Sequence, residues 1–144
     1  MAILMQASRI IPDLQSSLIC EQVRREINGN FIIIGVISAI HVPQLPVVAG
    51  QLCVMNRWCA GVGEFQESAR LIDPDQTTVI RQSEVKFRLT DPSHHATNVS
   101  VFGQIEFKTE GVYYIEITVD DVLKLRYPLP VSIRKPAGGQ QSAT

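Results

Sequence analysis

The sequence predicts an all-β protein, built as a single antiparallel β-sandwich of about seven to nine strands. Its 144 residues are enough for one domain of ordinary size. Valine and isoleucine together number 31, against 10 leucines and 9 alanines, and this excess of β-branched residues favours strands over helices. Apolar residues also recur with a period of two in several segments, and turn-forming residues separate those segments.

The clearest strand lies at residues 112–119. Ile115 and Ile117 fall on one face of it, while Glu116 and Thr118 fall on the other, as expected of a strand with one buried side. The same alternation marks the segments 82–89, 99–107 and 123–133. This many inward-facing stripes are difficult to reconcile with helices.

The segment 18–27 has two interpretations. Ile19, Val23 and Ile27 repeat every four residues, which suits a helix. Asn28-Gly29 follows directly, and this pair supplies the positive φ angles of a tight hairpin, which needs a strand immediately upstream. We therefore favour a strand, with the helix as the alternative.

The ends of the chain differ from its centre. We predict an N-terminal extension at 1–14, a β-sandwich domain at 15–135 and a disordered polar tail at 136–144. The apolar start is too short for a signal peptide, and no segment approaches the roughly 18 apolar residues of a membrane span. Three cysteines without a pattern do not form a disulfide framework. These features predict a cytoplasmic protein that does not bind a membrane.

The charge balance argues against nucleic acid as a partner. The chain carries 13 Lys and Arg against 14 Asp and Glu, for a formal charge of -1. Proteins that bind nucleic acid need clustered cations to displace the counterions of the phosphates. The partner that we expect is a protein, either another chain or a second copy in a homo-oligomer.

Several turn and strand motifs together resemble a known family. They are the Asn-Gly turn and strand at 28–36, Pro43 and Pro46, Arg-Leu-Ile-Asp-Pro-Asp at 70–75, and Glu-Gly-x-Tyr-x-Ile-x-Ile-x-Val-Asp at 110–120. In this order they resemble small bacterial domains of unknown function over residues 18–134. The resemblance implies a single immunoglobulin-like or C2-like β-sandwich in the cytoplasm, with no catalytic residues to carry over. The chain departs from the pattern at Asp120-Asp121, where such hairpins more often carry Asp-Gly.

Two apolar segments are candidates for a protein interface. The connection at 41–49 is unusually apolar for a loop, and its prolines disfavour regular pairing. Its side chains need cover from the sandwich edge or from a second subunit, and the apolar N-terminus raises the same question. The candidate interface residues are Val42, Leu45, Val47, Val48, Ile10 and Ile11.

A second set of residues suggests a ligand site in the loops. Asp73, Asp75 and Asp91 could bind calcium if loops at one end of the sandwich bring them together. The adjacent His94 and His95 could donate imidazoles to a metal, although no further ligands with recognisable spacing accompany them. Trp58 could stack on a sugar if exposed, but packing between the sheets is the more common role for such a residue.

These observations predict a non-enzymatic, cytoplasmic interaction module that can associate with itself. The alternative is a sandwich that binds calcium or carbohydrate through its loops. No motif of a catalytic nucleophile, a phosphate loop or a cofactor is present in the sequence, so we predict no enzyme activity and no cofactor.

Overall fold

The computed structural model describes residues 9–134, and within them the chain forms nine strands and no helix. It therefore has no helix there that is long and apolar enough to cross a membrane. The strands are β1 (Asp13–Arg25), β2 (Phe31–Val36), β3 (Ile40–Val42), β4 (Val47–Cys59), β5 (Gly63–Ile72), β6 (Val79–Leu89), β7 (His95–Phe107), β8 (Gly111–Val119) and β9 (Val122–Ile133).

The strands form two sheets. The four-stranded sheet has the order β2-β1-β4-β7, and the five-stranded sheet has the order β3-β9-β8-β5-β6. The prediction of an all-β fold is confirmed, but the prediction of a purely antiparallel one is wrong. β3 pairs with β9 in parallel, with Ile40 opposite Val131. This happens because the chain leaves the four-stranded sheet after β2 and crosses to the far edge of the other sheet, where it runs in the direction of β9.

The core lies between the two sheets. Trp58 of β4 is fully buried and stacks on Phe87 of β6, with 5.5 Å between the ring centroids. At the other end, Phe107 of β7 meets the edge of Tyr113 of β8 at 5.0 Å. Buried aromatic pairs of this kind contribute about 0.5–1.5 kcal/mol each beyond the area they remove from water. Packing between the sheets is thus the observed role of Trp58.

The ambiguous segment 18–27 is a strand as far as Arg25. It continues through a five-residue loop into β2, and Gly29 in that loop has a φ of 92°. The amide of Gly29 donates to the carbonyl of Glu26 at 2.9 Å. The Asn-Gly pair therefore turns the chain as its sequence predicts, although the loop is longer than two residues.

The structure describes part of the predicted N-terminal extension and none of the predicted tail. β1 begins at Asp13, and Ile10 already pairs with Val62 before β5, so part of the predicted extension is joined to the sheets. Residues 1–8 and the predicted tail at 136–144 lie outside the described residues.

The turn between β8 and β9 holds two aspartates in the left-handed region, with a φ of 47° at Asp120 and 67° at Asp121. Asp120 stabilises the fold at this turn, because its carboxylate accepts a hydrogen bond from the backbone amide of Gln66 at 2.9 Å. Asp121 is exposed, and within residues 9–134 its side chain makes no such hydrogen bond, so nothing described offsets the conformational cost of its positive φ. We expect Asp121→Gly to raise the free energy of unfolding by about 0.5–1 kcal/mol, measured by urea denaturation. Asp121→Ala, which keeps a Cβ, should give no gain, and equal gains from both variants would contradict this explanation.

Candidate functional site

The end of β1 and the whole of β2 form a hairpin that separates from the rest of the four-stranded sheet. β1 pairs with β4 only as far as Cys20, which lies opposite Cys53, and from Cys20 to Arg25 it pairs with β2. Gly35 of β2 has a φ of 69°, and a Cβ at this position would lie 2.6 Å from the Glu21 side chain. The strand pair therefore bends at a glycine, where a larger residue would be strained.

The bend places the hairpin across the outer face of its own sheet. Residues from the hairpin and from β4 and β7 line one cleft of about 520 Å³. The lining residues are Gly29, Asn30, Phe31, Ile33, Met55, Arg57, His95 and Thr97. A hairpin that continued straight from Cys20 would hold its loop about 30 Å from Arg57, so only a folded-back hairpin can share a cleft with it.

Apolar side chains under the hairpin are sealed from water. Cys20, Cys53 and Met55 alternate with core residues and so point away from the other sheet, yet each is at most 3% exposed. Burial raises the pKa of the Cys20 thiol, and the neighbouring Cys53 adds to that effect. Both thiols are free. These residues therefore act as small apolar packing groups.

The side of β2 that faces away from the sheet is apolar and open. Ile32 is 39% exposed, Ile34 36% and Val36 58%, although all three belong to β2. Within residues 9–134, β2 pairs with β1 on one side only, so its other edge has free backbone groups. An exposed apolar edge of this kind is a common site of association.

Most of the predicted interface segment near residue 45 is covered by the same chain. Val42 is buried where β3 pairs with β9. Leu45 and Val47 are partly buried and pack against the core, so capping from within accounts for these three residues. Val48, Ile10 and Ile11 are exposed and stay predicted interface residues.

The structure does not bring the predicted ligand loops together. Asp73 and Asp75 precede β6, whereas Asp91 follows it, and its 11 residues separate the two loops by roughly 30 Å. Each aspartate also serves its own turn. Hydrogen bonds from the side chain and the amide of Thr78 hold the pKa of Asp75 at about 2. Within residues 9–134, no group of three or more His, Cys, Asp or Glu side chains could hold a metal ion.

The two candidate histidines lie in different surroundings. His94 Nδ1 is 3.1 Å from the hydroxyl of Thr90 in the loop between β6 and β7. His95 begins β7 and lines the cleft under the hairpin. Of the residues predicted to bind a ligand, His95 is therefore one that contributes to a cleft.

One protein-family model matches most of the length of the chain. The family model described as a family of unknown function, DUF6941, matches residues 15–132. The chain belongs to the DUF6941 family. This confirms the expected membership in a family of unknown function, while a bacterial origin stays a prediction.

Other comparisons add little to the DUF6941 assignment. No curated protein matches the chain. Among solved structures, it is similar to the CARDB domain of the PF1109 protein from Pyrococcus furiosus, which was crystallised in complex with di-metal ions. The identity is 16%, the match covers 85% of this chain and 96% of that one, and the TM-score is 0.43.

One polar group in the core of this DUF6941 domain has no counterpart in the sequence predictions. Glu67 of β5 is fully buried, and its Oε1 accepts the Trp58 indole N–H at 2.7 Å and the Asn98 amide at 3.0 Å. Within the described residues, Glu67 Oε2 and both amide atoms of Asn56 have no partner. The signal in the sequence is a carboxylate at an inward position of a strand, between Phe65 and Ala69.

Proposed function

We propose that the protein is a non-enzymatic interaction module that associates with a second copy of itself along the free edge of β2. The observation that carries this proposal is the exposure of Ile32, Ile34 and Val36 on an edge strand. Proteins usually protect such edges with charges, prolines, bulges or short strands. The outward side of β2 carries large apolar side chains instead.

The edge strand β6, which is longer than β2, shows what such protection looks like in the same molecule. β6 is an edge of the five-stranded sheet, and after the exposed Val79 its outward positions are polar or charged. They are Gln82, Glu84, Lys86 and Arg88. Gln66 Nε2 donates to Glu84 at 2.8 Å, so this face is already engaged within the chain. The row of three exposed apolar side chains on β2 therefore contrasts with the polar outward side of β6.

A second copy fits this edge because two identical strands can pair antiparallel about a two-fold axis. In that arrangement each β2 presents the same residues to the other, as an isologous dimer requires. The two four-stranded sheets would then join through β2, and the apolar rows would lie side by side. Gln22 and Arg24, which lie beside Ile34 and Ile32 on β1, would form a polar rim.

The test is the mass of the protein in solution. We expect wild type to approach twice its 16.0 kDa in sedimentation equilibrium at about 100 µM, a concentration at which association in the micromolar range is detected. Ile34→Lys should remain monomeric, because a charge would be buried without a partner. Val79→Lys is the matched control on the edge of β6, where Val79 is similarly exposed, and it should leave the mass unchanged. A wild type that is monomeric throughout, or a dimer that survives Ile34→Lys, would refute the proposal.

We also propose that the fold is a sandwich of a known class and that the protein is cytoplasmic. The two sheets with a core between them support an immunoglobulin-like or C2-like sandwich. The three free cysteines support a cytoplasmic protein, because disulfides are uncommon in a reducing compartment.

A further inference from the structure

We infer that the cleft under the hairpin binds a small organic anion, namely a carboxylate attached to an apolar body. This site is separate from the proposed dimer surface. The cleft lies on the side of β2 that faces the sheet, whereas Ile32, Ile34 and Val36 are exposed on the side that faces away from it. Three features of the cleft support this: the free N–H donors of Arg57, a lining without carboxylates, and the apolar side chains beside Arg57.

Arg57 is held in place by neutral groups. Its Nε donates to Gln15 Oε1 at 3.2 Å, and its Nη1 donates to Thr97 Oγ1 at 3.0 Å. Within residues 9–134, no carboxylate lies within 4.0 Å of this guanidinium. Three of its five N–H groups have no acceptor among the described residues. A fixed guanidinium with free donors is suited to binding a carboxylate through two parallel hydrogen bonds.

The lining of the cleft carries a cation and no carboxylate. Arg57 lines it together with the imidazole of His95, and no Asp or Glu is among the lining residues. Arg25 lies next to it, with its guanidinium 5.0 Å from the ring centroid of Phe31 and its Nε donating to the Gly29 carbonyl at 3.3 Å. Three other clefts of the molecule each include at least one carboxylate, for example Glu64, Asp120 and Asp73. The cleft under the hairpin therefore favours an anion where those clefts do not.

The floor of the cleft selects an apolar body. The half-buried Phe31 and Ile33 supply apolar surface beside Arg57, and the buried Met55 also borders the cleft. The volume of about 520 Å³ is within the range of pockets that hold small molecules. A bare inorganic anion would leave this surface wet, whereas an aliphatic or aromatic carboxylate would cover it.

The experiment compares charged and uncharged probes of the same shape. Hexanoate and benzoate, their amides and inorganic phosphate are titrated into the full chain while backbone amide resonances are followed by NMR. We expect saturable shifts at Phe31, Met55 and Thr97 for the carboxylates, with affinity at least about tenfold weaker for the amides and for phosphate. Equal binding of acid and amide, equal binding of phosphate, or no saturable shift from either carboxylate would overturn the inference.

Two variants locate the interaction. Arg57→Met keeps the apolar stem and should weaken carboxylate binding about tenfold or more, while Arg57→Lys keeps the charge and should weaken it less. Arg88→Met removes an exposed arginine from the other sheet and should have no effect. Unchanged affinity in Arg57→Met would also overturn the inference. None of these variants should alter the mass in solution, so failure here is distinguishable from failure of the proposed dimer.

Discussion

Replacing Glu67 by alanine is expected to lower the free energy of unfolding by about 3–5 kcal/mol. The carboxylate is fully buried and accepts hydrogen bonds from Trp58 and Asn98. Glu67→Ala leaves the indole N–H and the amide without an acceptor and opens a cavity beside Trp58. The measurement is urea denaturation followed by Trp58 fluorescence, which reports on the same part of the core because Trp58 is the single tryptophan.

Glu67→Gln is the matched control for this prediction. Its Oε1 can still accept both hydrogen bonds, and an amide nitrogen takes the place of Oε2, which has no partner within the described residues. We expect a change within about 1 kcal/mol. Similar large losses in both variants would show that the two hydrogen bonds are not the reason that Glu67 stabilises the fold.

Replacing Gly61 by alanine is the second change with a large expected effect. A Cβ at Gly61 would lie 2.7 Å from Pro12 Cβ and 2.8 Å from its Cα, so the backbone of the entering segment must shift. The same segment is joined to β5 through the pair Ile10 and Val62. Because overpacking against backbone is not relieved by rotating a side chain, we expect a loss of about 2–3 kcal/mol.

Gly50→Ala provides the comparison for Gly61→Ala. Apart from Gly50 and its two chain neighbours, no described atom lies within 4 Å of the position that its Cβ would take, and its φ lies outside the left-handed region. We expect its free energy of unfolding to stay within about 0.5 kcal/mol of wild type. If Gly61→Ala is equally harmless, the segment at 9–12 does not pack against β5 as described.

The period-two pattern was enough to predict the strands but not their partners. Ile115 and Ile117 alternate with polar residues, so β8 could be assigned from local sequence. β3 has only three residues and follows no alternation, and its parallel pairing with β9 depends on where the chain crosses between the sheets. No local signal carries that information.

The candidate surfaces likewise depend on tertiary contacts that the local sequence does not reveal. Val42 has the sequence of an exposed apolar loop, but it is buried because β9 happens to lie beside it. In β2 the run Ile32-Ile33-Ile34 hides its alternation, since both faces are apolar. Its outer face became apparent only when the sheet order placed β2 at an edge. Arg57 and Glu67 likewise acquire their roles from strands that are distant in sequence.

The most direct test of the account is hydrogen exchange at low and high protein concentration. We predict that amides of Phe31–Val36 on the free edge of β2 exchange more slowly at high concentration, because a second copy then bonds to them. Exchange in the edge strand β6 should not depend on concentration. Unchanged exchange in β2, or protection gained at Ile10, Ile11 or Val48 in its place, would contradict the claim that β2 is the self-association surface.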